Sequence, residues 1–184
     1  MARRILFLGP PGAGKGTQAA MLAKALKVPH ISTGEMLRDA VSAGTELGKQ
    51  VESIMAAGDL VSDNLVVALV DERLARPDAQ CGYLLDGFPR NVAQAEALND
   101  AVVNAIGTVV LLEADADELV SRLLMRAEAE GRADDNEDTI RRRLDVYSSE
   151  TAPLVEHYGA AVIRVDGMGS IEDVFARIAL ALAS

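Results

Sequence analysis

Residues 9–17 read GPPGAGKGT, and this short stretch decides the fold class of the chain. The apolar run before it predicts a buried strand over 4–8, and the apolar spacing after it predicts a helix over 15–26. Glycines let successive backbone N–H groups point into one concavity, to which the N-terminus of a helix adds positive potential. Lys15 extends this site toward the β and γ phosphates of a nucleotide. The strand–loop–helix context therefore favours a phosphate-binding loop (P-loop) over an ordinary glycine-rich turn.

One position of this loop departs from the general P-loop pattern. That pattern has Ser or Thr directly after the lysine, where the hydroxyl binds Mg²⁺. Here Gly16 follows Lys15, and Thr17 comes one residue later. The sequence therefore leaves open whether this loop binds magnesium directly.

Strand-like and helical patterns alternate along the rest of the chain. Further strands are predicted at 28–31, 82–86, 106–112 and 161–165, and a long helix reaches from about 138 to about 158. Strands separated by helices indicate a parallel sheet that is covered on both faces. The sequence thus predicts an α/β P-loop fold of three layers, with a five-stranded parallel sheet and helices on both faces.

Two stretches lack strand signals and are predicted to be insertions in a single domain that spans residues 1–184. The first, residues 32–61, is a small helical segment between the second and third strands. The second, about 127–137, is short and acidic and has no apolar spacing. We expect it to be a mobile cover rather than part of the core.

The composition argues against several classes of function. Eighteen Lys and Arg against 28 Asp and Glu give a net charge of −10, which argues against a general nucleic-acid or anionic-membrane binder. A single cysteine, Cys81, excludes a disulfide framework and a cysteine-rich zinc site. The apolar stretch 101–112 is interrupted and shorter than the roughly 20 residues that span a bilayer. We expect a soluble cytoplasmic protein without zinc, nucleic-acid or membrane partners.

A second polar motif, residues 86–90 (DGFPR), follows the predicted strand 82–86. Ligands of open α/β sheets lie in the crevice at the carboxyl ends of the strands. At this place Asp86 can hold Mg²⁺, directly or through water, and Arg90 can pair with phosphate. The alternative is an aspartate at a helix start and a solvated arginine, but the neighbouring P-loop favours the functional interpretation.

Several arginines near the second insertion are candidate phosphate ligands. Arg122 and Arg126 are four residues apart, but Glu118 and Glu130 offer each a local ion pair, which stays an alternative. In the run 141–143, the first two arginines have acidic residues three or four positions away on the same helix. Arg143 has none and needs a partner elsewhere, and Arg132 lies in the polar segment before that helix.

Taken together, these motifs resemble the adenylate kinase family. The resemblance rests on the P-loop, the run 32–38 (STGEMLR), DGFPR followed by Gln94, and the segment from Arg132 to Arg143, in this order along nearly the whole chain. The short segment 127–137 is similar to the family's short-lid form, without the long lid and its zinc-binding cysteines. The resemblance implies reversible phosphoryl transfer from MgATP to AMP, giving two ADP, which maintains adenine nucleotides. We expect a monomer, because both insertions need room to move.

The resemblance also implies a role for individual residues. Asp86 would contact Mg²⁺ through water, and the bond Phe88–Pro89 would be cis. The ATP-binding residues would be Gly12, Ala13, Gly14, Lys15, Gly16, Thr17, Arg126 and Gly169. The AMP-binding residues would be Thr33, Arg38, Asp59, Leu60, Val61, Gly87, Phe88, Pro89, Arg90, Gln94, Arg132 and Arg143. The catalytic residues would be Lys15, Arg90, Arg126, Arg132 and Arg143.

Two rival functions stay open at this point. The first is a kinase for another nucleoside monophosphate, such as UMP or CMP. Gln94 and Thr33 favour adenine, since the uridylate and cytidylate relatives usually have Asn and Ala there. The second is a nucleotide-sensing protein that binds ATP without turnover, against which the full set of arginines argues.

Overall fold

The computed structural model describes residues 3–102, 105–130 and 135–183. Within these ranges five strands form one parallel sheet, in the order β2-β3-β1-β4-β5. The predicted five-stranded parallel sheet is therefore confirmed. The strands are β1 (Arg3–Leu8), β2 (His30–Ser32), β3 (Gly82–Asp86), β4 (Thr108–Glu113) and β5 (Val162–Asp166).

Helices connect the strands, and polar side chains begin several of them. Ser32, Thr45, Asn91 and Asn136 each accept a hydrogen bond from the backbone N–H three residues later, which satisfies one of the free donors of a helix start. The helices are α1 (Lys15–Leu26), α2 (Thr33–Ser42), α3 (Glu46–Ala56), α4 (Asp63–Leu74), α5 (Val92–Ala101), α6 (Ala116–Glu130), α7 (Glu137–Val146), α8 (Leu154–Tyr158) and α9 (Ile171–Ala183). Short 3-10 turns occupy Pro77–Ala79 and Gly159–Ala161.

The buried side chains form two clusters, one on each face of the sheet. Successive residues of a strand point to opposite faces. Accordingly Leu6 and Leu8 of β1 pack in one cluster, with buried residues of α2, α3, α4, α5 and α8. Ile5 and Phe7 pack in the other, with residues of α1, α6 and α9. The fold has the three predicted layers, with the apolar strands buried between two sets of helices.

The stretch from about 138 to about 158 is helical as predicted, but the prediction of one continuous helix is wrong. Helix α7 ends at Val146, a single π-helical turn occupies Tyr147–Thr151, and α8 begins at Leu154. Pro153 has no backbone N–H to donate and its ring excludes a regular helix in the preceding turn. The interruption has a consequence for the site, because the Thr151 hydroxyl donates a 2.7 Å hydrogen bond to the carbonyl oxygen of Arg90.

Candidate active site

The glycine-rich loop leaves the carboxyl end of β1, the middle strand of the sheet, and leads into α1. Gly12 has φ of 87°, and a Cβ there would lie 2.8 Å from the carbonyl oxygen of Leu119. Only glycine allows this backbone conformation together with so close an approach to α6. The Lys15 ammonium donates to the carbonyl oxygens of Gly9 and Pro10 at 2.7 and 2.9 Å, so the loop itself holds the lysine in place.

A cleft of about 920 Å³ opens beside this loop, at the carboxyl ends of the strands. The predicted ATP-binding residues all line it, and so do Asp86 and Pro89. An adjoining pocket of about 60 Å³ is lined by predicted AMP-binding residues. These are Thr33, Arg38, Asp59, Leu60, Val61, Gly87, Arg90, Gln94 and Arg143.

Three of the predicted arginines line both spaces: Arg38, Arg90 and Arg143. One predicted residue of the described part of the chain lines neither cavity: Phe88, which is fully buried in the core. The predicted residue Arg132 lies outside the described residues. The arginines shared by the two cavities mark the place where an anionic group of one ligand would meet that of another.

The Lys15 amine lies in a strongly perturbed electrostatic environment. Burial lowers its pKa to about 8, opposed by the negative charge of Asp86 and assisted by the positive charges of Arg90, Arg143 and Arg126. The positive charges of these three arginines lie near the Lys15 amine and make its protonated form less favourable. An anionic ligand would stabilise the protonated amine, because its negative charge would offset the positive charges of the arginines.

Asp86 is a buried carboxylate that lines the cleft at the end of β3. Burial acts to raise its pKa, but the imidazole of His30 and the positive charges of Lys15 and Arg90 outweigh burial, so its pKa lies below the ordinary value. His30 Nε2 is 3.6 Å from Asp86 Oδ2, and a Cβ on Gly16 would be 3.5 Å from the same oxygen. Asp86 therefore stays ionised and faces the P-loop.

The donor set around Asp86 suits a hard cation that binds oxygen ligands, such as Mg²⁺. In the ranges that the structure describes, no group of three or more His, Cys, Asp or Glu residues can hold a metal ion. Mg²⁺ is usually held by one or two carboxylates together with substrate phosphates and water. One ionised carboxylate beside a phosphate-binding loop fits that requirement.

The arginines of the second insertion region have a partner that the sequence reasoning missed. Arg126 donates to both carboxylate oxygens of Asp135, at 2.7 and 2.8 Å, and Arg143 donates to the same carboxylate. The side chain of Asp135 is 0% exposed. Arg122 instead takes the local pair with Glu118 at 2.8 Å. The alternative of local pairing thus holds for Arg122, whereas a buried aspartate binds Arg126 and Arg143 together.

Residues after β3 form the wall between the two cavities. The peptide bond Phe88–Pro89 is cis, as the resemblance implies. Both the hydroxyl of Thr33 and the Nε–H of Arg90 donate to the carbonyl oxygen of Gly87, each at 2.8 Å. The backbone N–H of Arg90 donates to Oε1 of Gln94 at 2.7 Å. These bonds connect the DGFPR motif to α2 and α5 and fix its arginine beside the cleft.

The loop after β5 also has a support that the sequence did not reveal. Arg177 of α9 donates to the carbonyl oxygens of Asp166 and Met168 at 2.8 and 2.6 Å. Arg122 donates to the carbonyl oxygen of Gly167 in the same loop at 3.0 Å. This loop contains Gly169, which lines the larger cleft. No pattern in the sequence signals backbone carbonyls as the partners of these arginines.

A P-loop at the carboxyl edge of a parallel sheet, facing two joined cavities lined by arginines, defines a nucleotide-binding phosphotransferase. The family model described as "Adenylate kinase" matches residues 7–163. Proteins named adenylate kinase from Synechococcus sp. (strain WH7803) and from Thermus thermophilus are 53% and 52% identical to this chain. The first match covers 100% of both chains, and the second covers 99% of this chain and 98% of its relative. The adenylate kinase of Xylella fastidiosa (strain M12) is 48% identical over 97% of this chain and 98% of its own.

The chain belongs to the adenylate kinase family, so it is a transferase and a nucleotide-binding kinase. The similarity over the whole chain confirms the family that the sequence motifs predict, and it supports the interconversion of ATP and AMP with ADP. No helix within the described ranges is long and apolar enough to cross a membrane.

Proposed function

We propose that this protein transfers the γ-phosphoryl group of MgATP reversibly to AMP, giving two ADP, and that Lys15, Arg90, Arg126, Arg132 and Arg143 are its catalytic residues. The observation that carries the assignment is the set of arginines that line both cavities. The larger cleft, beside the P-loop, takes ATP, and the smaller pocket takes AMP. The two phosphate chains then meet among the shared arginines.

The reaction needs no general base at this site. A phosphate oxygen of AMP is already anionic, so catalysis consists of positioning and of stabilising charge during in-line transfer. A single phosphate monoester carries about −1.5 to −2 at neutral pH. Converging cations on Lys15, Arg90 and Arg143 match that charge, and they supply the stabilisation where it develops.

Magnesium is the proposed cofactor, with ATP as the phosphoryl donor. When bound, Mg²⁺ would neutralise negative charge on the phosphate groups of the donor. Asp86 would hold it, through water, because it is the ionised carboxylate that faces the loop. We propose no zinc, since the chain has a single cysteine.

Two insertions in the single domain, 32–61 and about 127–137, are proposed to close over the nucleotides. Closure excludes water, which would otherwise accept the phosphoryl group and hydrolyse ATP. The contact that supports this idea joins the first insertion to the helix that follows the second: Arg142 of α7 pairs with Asp59, Nε to Oδ1, at 2.7 Å. We also propose that the enzyme is a cytoplasmic monomer without nucleic-acid partners, and sedimentation of the purified protein tests the monomer.

A coupled assay across AMP, UMP, CMP and GMP tests the acceptor. With MgATP as donor we expect ADP to form fastest with AMP, because Gln94 and Thr33 line the smaller pocket. A preference for a pyrimidine nucleotide would move the protein to the rival kinase class. Tight ATP binding with no ADP formed from ATP and AMP would instead favour the nucleotide sensor.

A bisubstrate compound tests the joined cavities directly. Two adenosines linked by five phosphates should bind with higher affinity than ATP or AMP alone, because one molecule then occupies both sites. Calorimetric titration measures its affinity and stoichiometry. Affinity no better than that of ATP would contradict the proposed arrangement of the two sites.

The pKa of Lys15 predicts a pH dependence of ATP binding. In the free enzyme the amine loses its charge near pH 8, so binding above that pH has to include uptake of a proton. The dissociation constant for ATP is therefore expected to rise by up to about tenfold per pH unit above 8. Equilibrium titrations at a series of pH values on both sides of this pKa, at constant ionic strength, measure it.

The matched control for this pH dependence is Lys15→Arg. A guanidinium stays charged throughout this range, so the variant is expected to lose the pH dependence whatever its affinity. Equal slopes in the wild type and in Lys15→Arg would show that another group titrates.

A further inference from the structure

A carboxylate outside the predicted site holds the side chain of Gln94. Asp63, in the first turn of α4, accepts a hydrogen bond from Nε2 of Gln94 at 2.7 Å. It also accepts from the side-chain amide of Asn91, at 3.1 and 3.3 Å. Gln94 is 1% exposed and lines the smaller pocket. Asp63 thus lies directly behind a residue of the proposed AMP site.

The neighbours of Gln94 determine which way its amide group faces. An ionised carboxylate only accepts hydrogen bonds and a backbone N–H only donates them. Oε1 of Gln94 therefore has to face the N–H of Arg90, and Nε2 has to face Asp63. The reversed amide would place two donors together at Arg90 and two acceptors together at Asp63. Each end would then be a buried polar group without a partner, which is unfavourable.

Fixing the amide also fixes what it can offer a ligand. A glutamine amide has two N–H donors and two acceptor lone pairs, and one of each is used by Asp63 and Arg90. One donor and one acceptor remain. Adenine needs this pair, because its 6-amino group donates and its ring nitrogens accept. Hypoxanthine has the same shape, but the roles at the same two positions are reversed, because its 6-oxo group accepts and its N1–H donates. It would therefore need the opposite orientation of the amide.

We propose that Asp63 is a specificity-determining positioning residue, which selects a 6-amino purine nucleotide by holding the Gln94 amide in one orientation. The inference rests on the proposed function, in which the smaller pocket binds AMP. Asp63 touches neither substrate nor phosphate in this scheme and acts through Gln94. Asp63 thus helps the site to select adenine over hypoxanthine, which has the same shape but a 6-oxo group.

A purely structural role of Asp63 makes a different prediction. A carboxylate in the first turn of a helix interacts favourably with the helix dipole. Its loss would then lower the melting temperature of the protein and leave the choice of acceptor unchanged. A change in the choice of acceptor therefore indicates a positioning role, whereas a lower melting temperature alone indicates a structural role.

The test compares AMP with inosine monophosphate as acceptors, at saturating MgATP, in the wild type and in Asp63→Asn. The asparagine amide can donate as well as accept, so it removes one of the two constraints on Gln94. We expect the ratio of kcat/KM for AMP to that for inosine monophosphate to fall about tenfold. The KM for AMP should rise while kcat and the KM for ATP change little.

Glu72→Gln is the matched control, because Glu72 is an exposed residue of the same helix and the charge change is the same. It should keep the wild-type ratio. If Asp63→Asn unfolds below the assay temperature, Asp63→Ser takes its place with the same expectation. An unchanged ratio in a folded Asp63 variant would overturn the inference. Failure of the wild type itself to use AMP would instead overturn the proposed function.

Discussion

Arg143→Ala is expected to lower kcat by about 10³-fold or more while the protein stays folded. An arginine that stabilises charge on a transferring phosphoryl group typically contributes about 10³–10⁵ in rate. Arg143 lines both cavities, so its loss removes a cation from the place where the phosphates meet. Asp135 keeps its two bonds from Arg126, and the melting temperature should therefore fall by only about 5 °C.

Arg141→Ala provides the control for this loss of turnover. Arg141 lies on the same helix, is 73% exposed and pairs with Glu137 at 2.7 Å. It lines neither cavity, so its replacement should leave kcat within about twofold. Steady-state kinetics and thermal unfolding of both variants decide the matter. If the melting temperature of Arg143→Ala collapsed along with its activity, Arg143 would be a structural residue.

Lys15→Ala should lower kcat/KM for ATP by about 10²- to 10³-fold, the usual loss when one donor to a developing charge is removed. Its melting temperature is expected not to fall. The pKa of Lys15 is lowered to about 8, so at neutral pH the charged amine opposes folding, and alanine removes that cost. Loss of activity combined with retained or raised stability is the expected result.

Lys24→Ala is the control for Lys15→Ala, since Lys24 is an exposed lysine of the same helix. It should match the wild type in both assays. Near-normal turnover of Lys15→Ala would undermine the assignment of the P-loop, because the lysine is its single charged side chain.

The sheet and its order of elements were predictable because their signals are local. Apolar runs bounded by glycine define the strands, and the P-loop needs only the consecutive residues 9–17. The interruption after Val146 was missed, although Pro153 was visible in the sequence. The predicted helix was nevertheless continued across this proline to about residue 158. A proline inside an apparent helix should count as a boundary.

The supporting acidic residues of the site were not predictable. Asp135 contacts arginines 8 and 9 positions away, and Asp63 contacts a glutamine 31 positions away. The chain has 28 Asp and Glu residues, and their spacing does not indicate which of them will lie beside a given side chain. For Arg142 the helix offered Asp138 and Asp145, but its guanidinium pairs with Asp59 in the turn after α3. Sequence spacing identifies which arginine has no local acid, as it did for Arg143. It does not identify the distant carboxylate that the fold supplies.

The carboxylate of Asp135 allows Arg126 and Arg143 to lie close together before any substrate is bound. Two guanidinium groups held by one carboxylate repel each other strongly in a poorly hydrated environment. One internal counter-ion offsets that repulsion and fixes the direction of both side chains at once. The protein therefore does not have to gather its cations from solvent during each turnover, and less reorganisation is left for the chemical step.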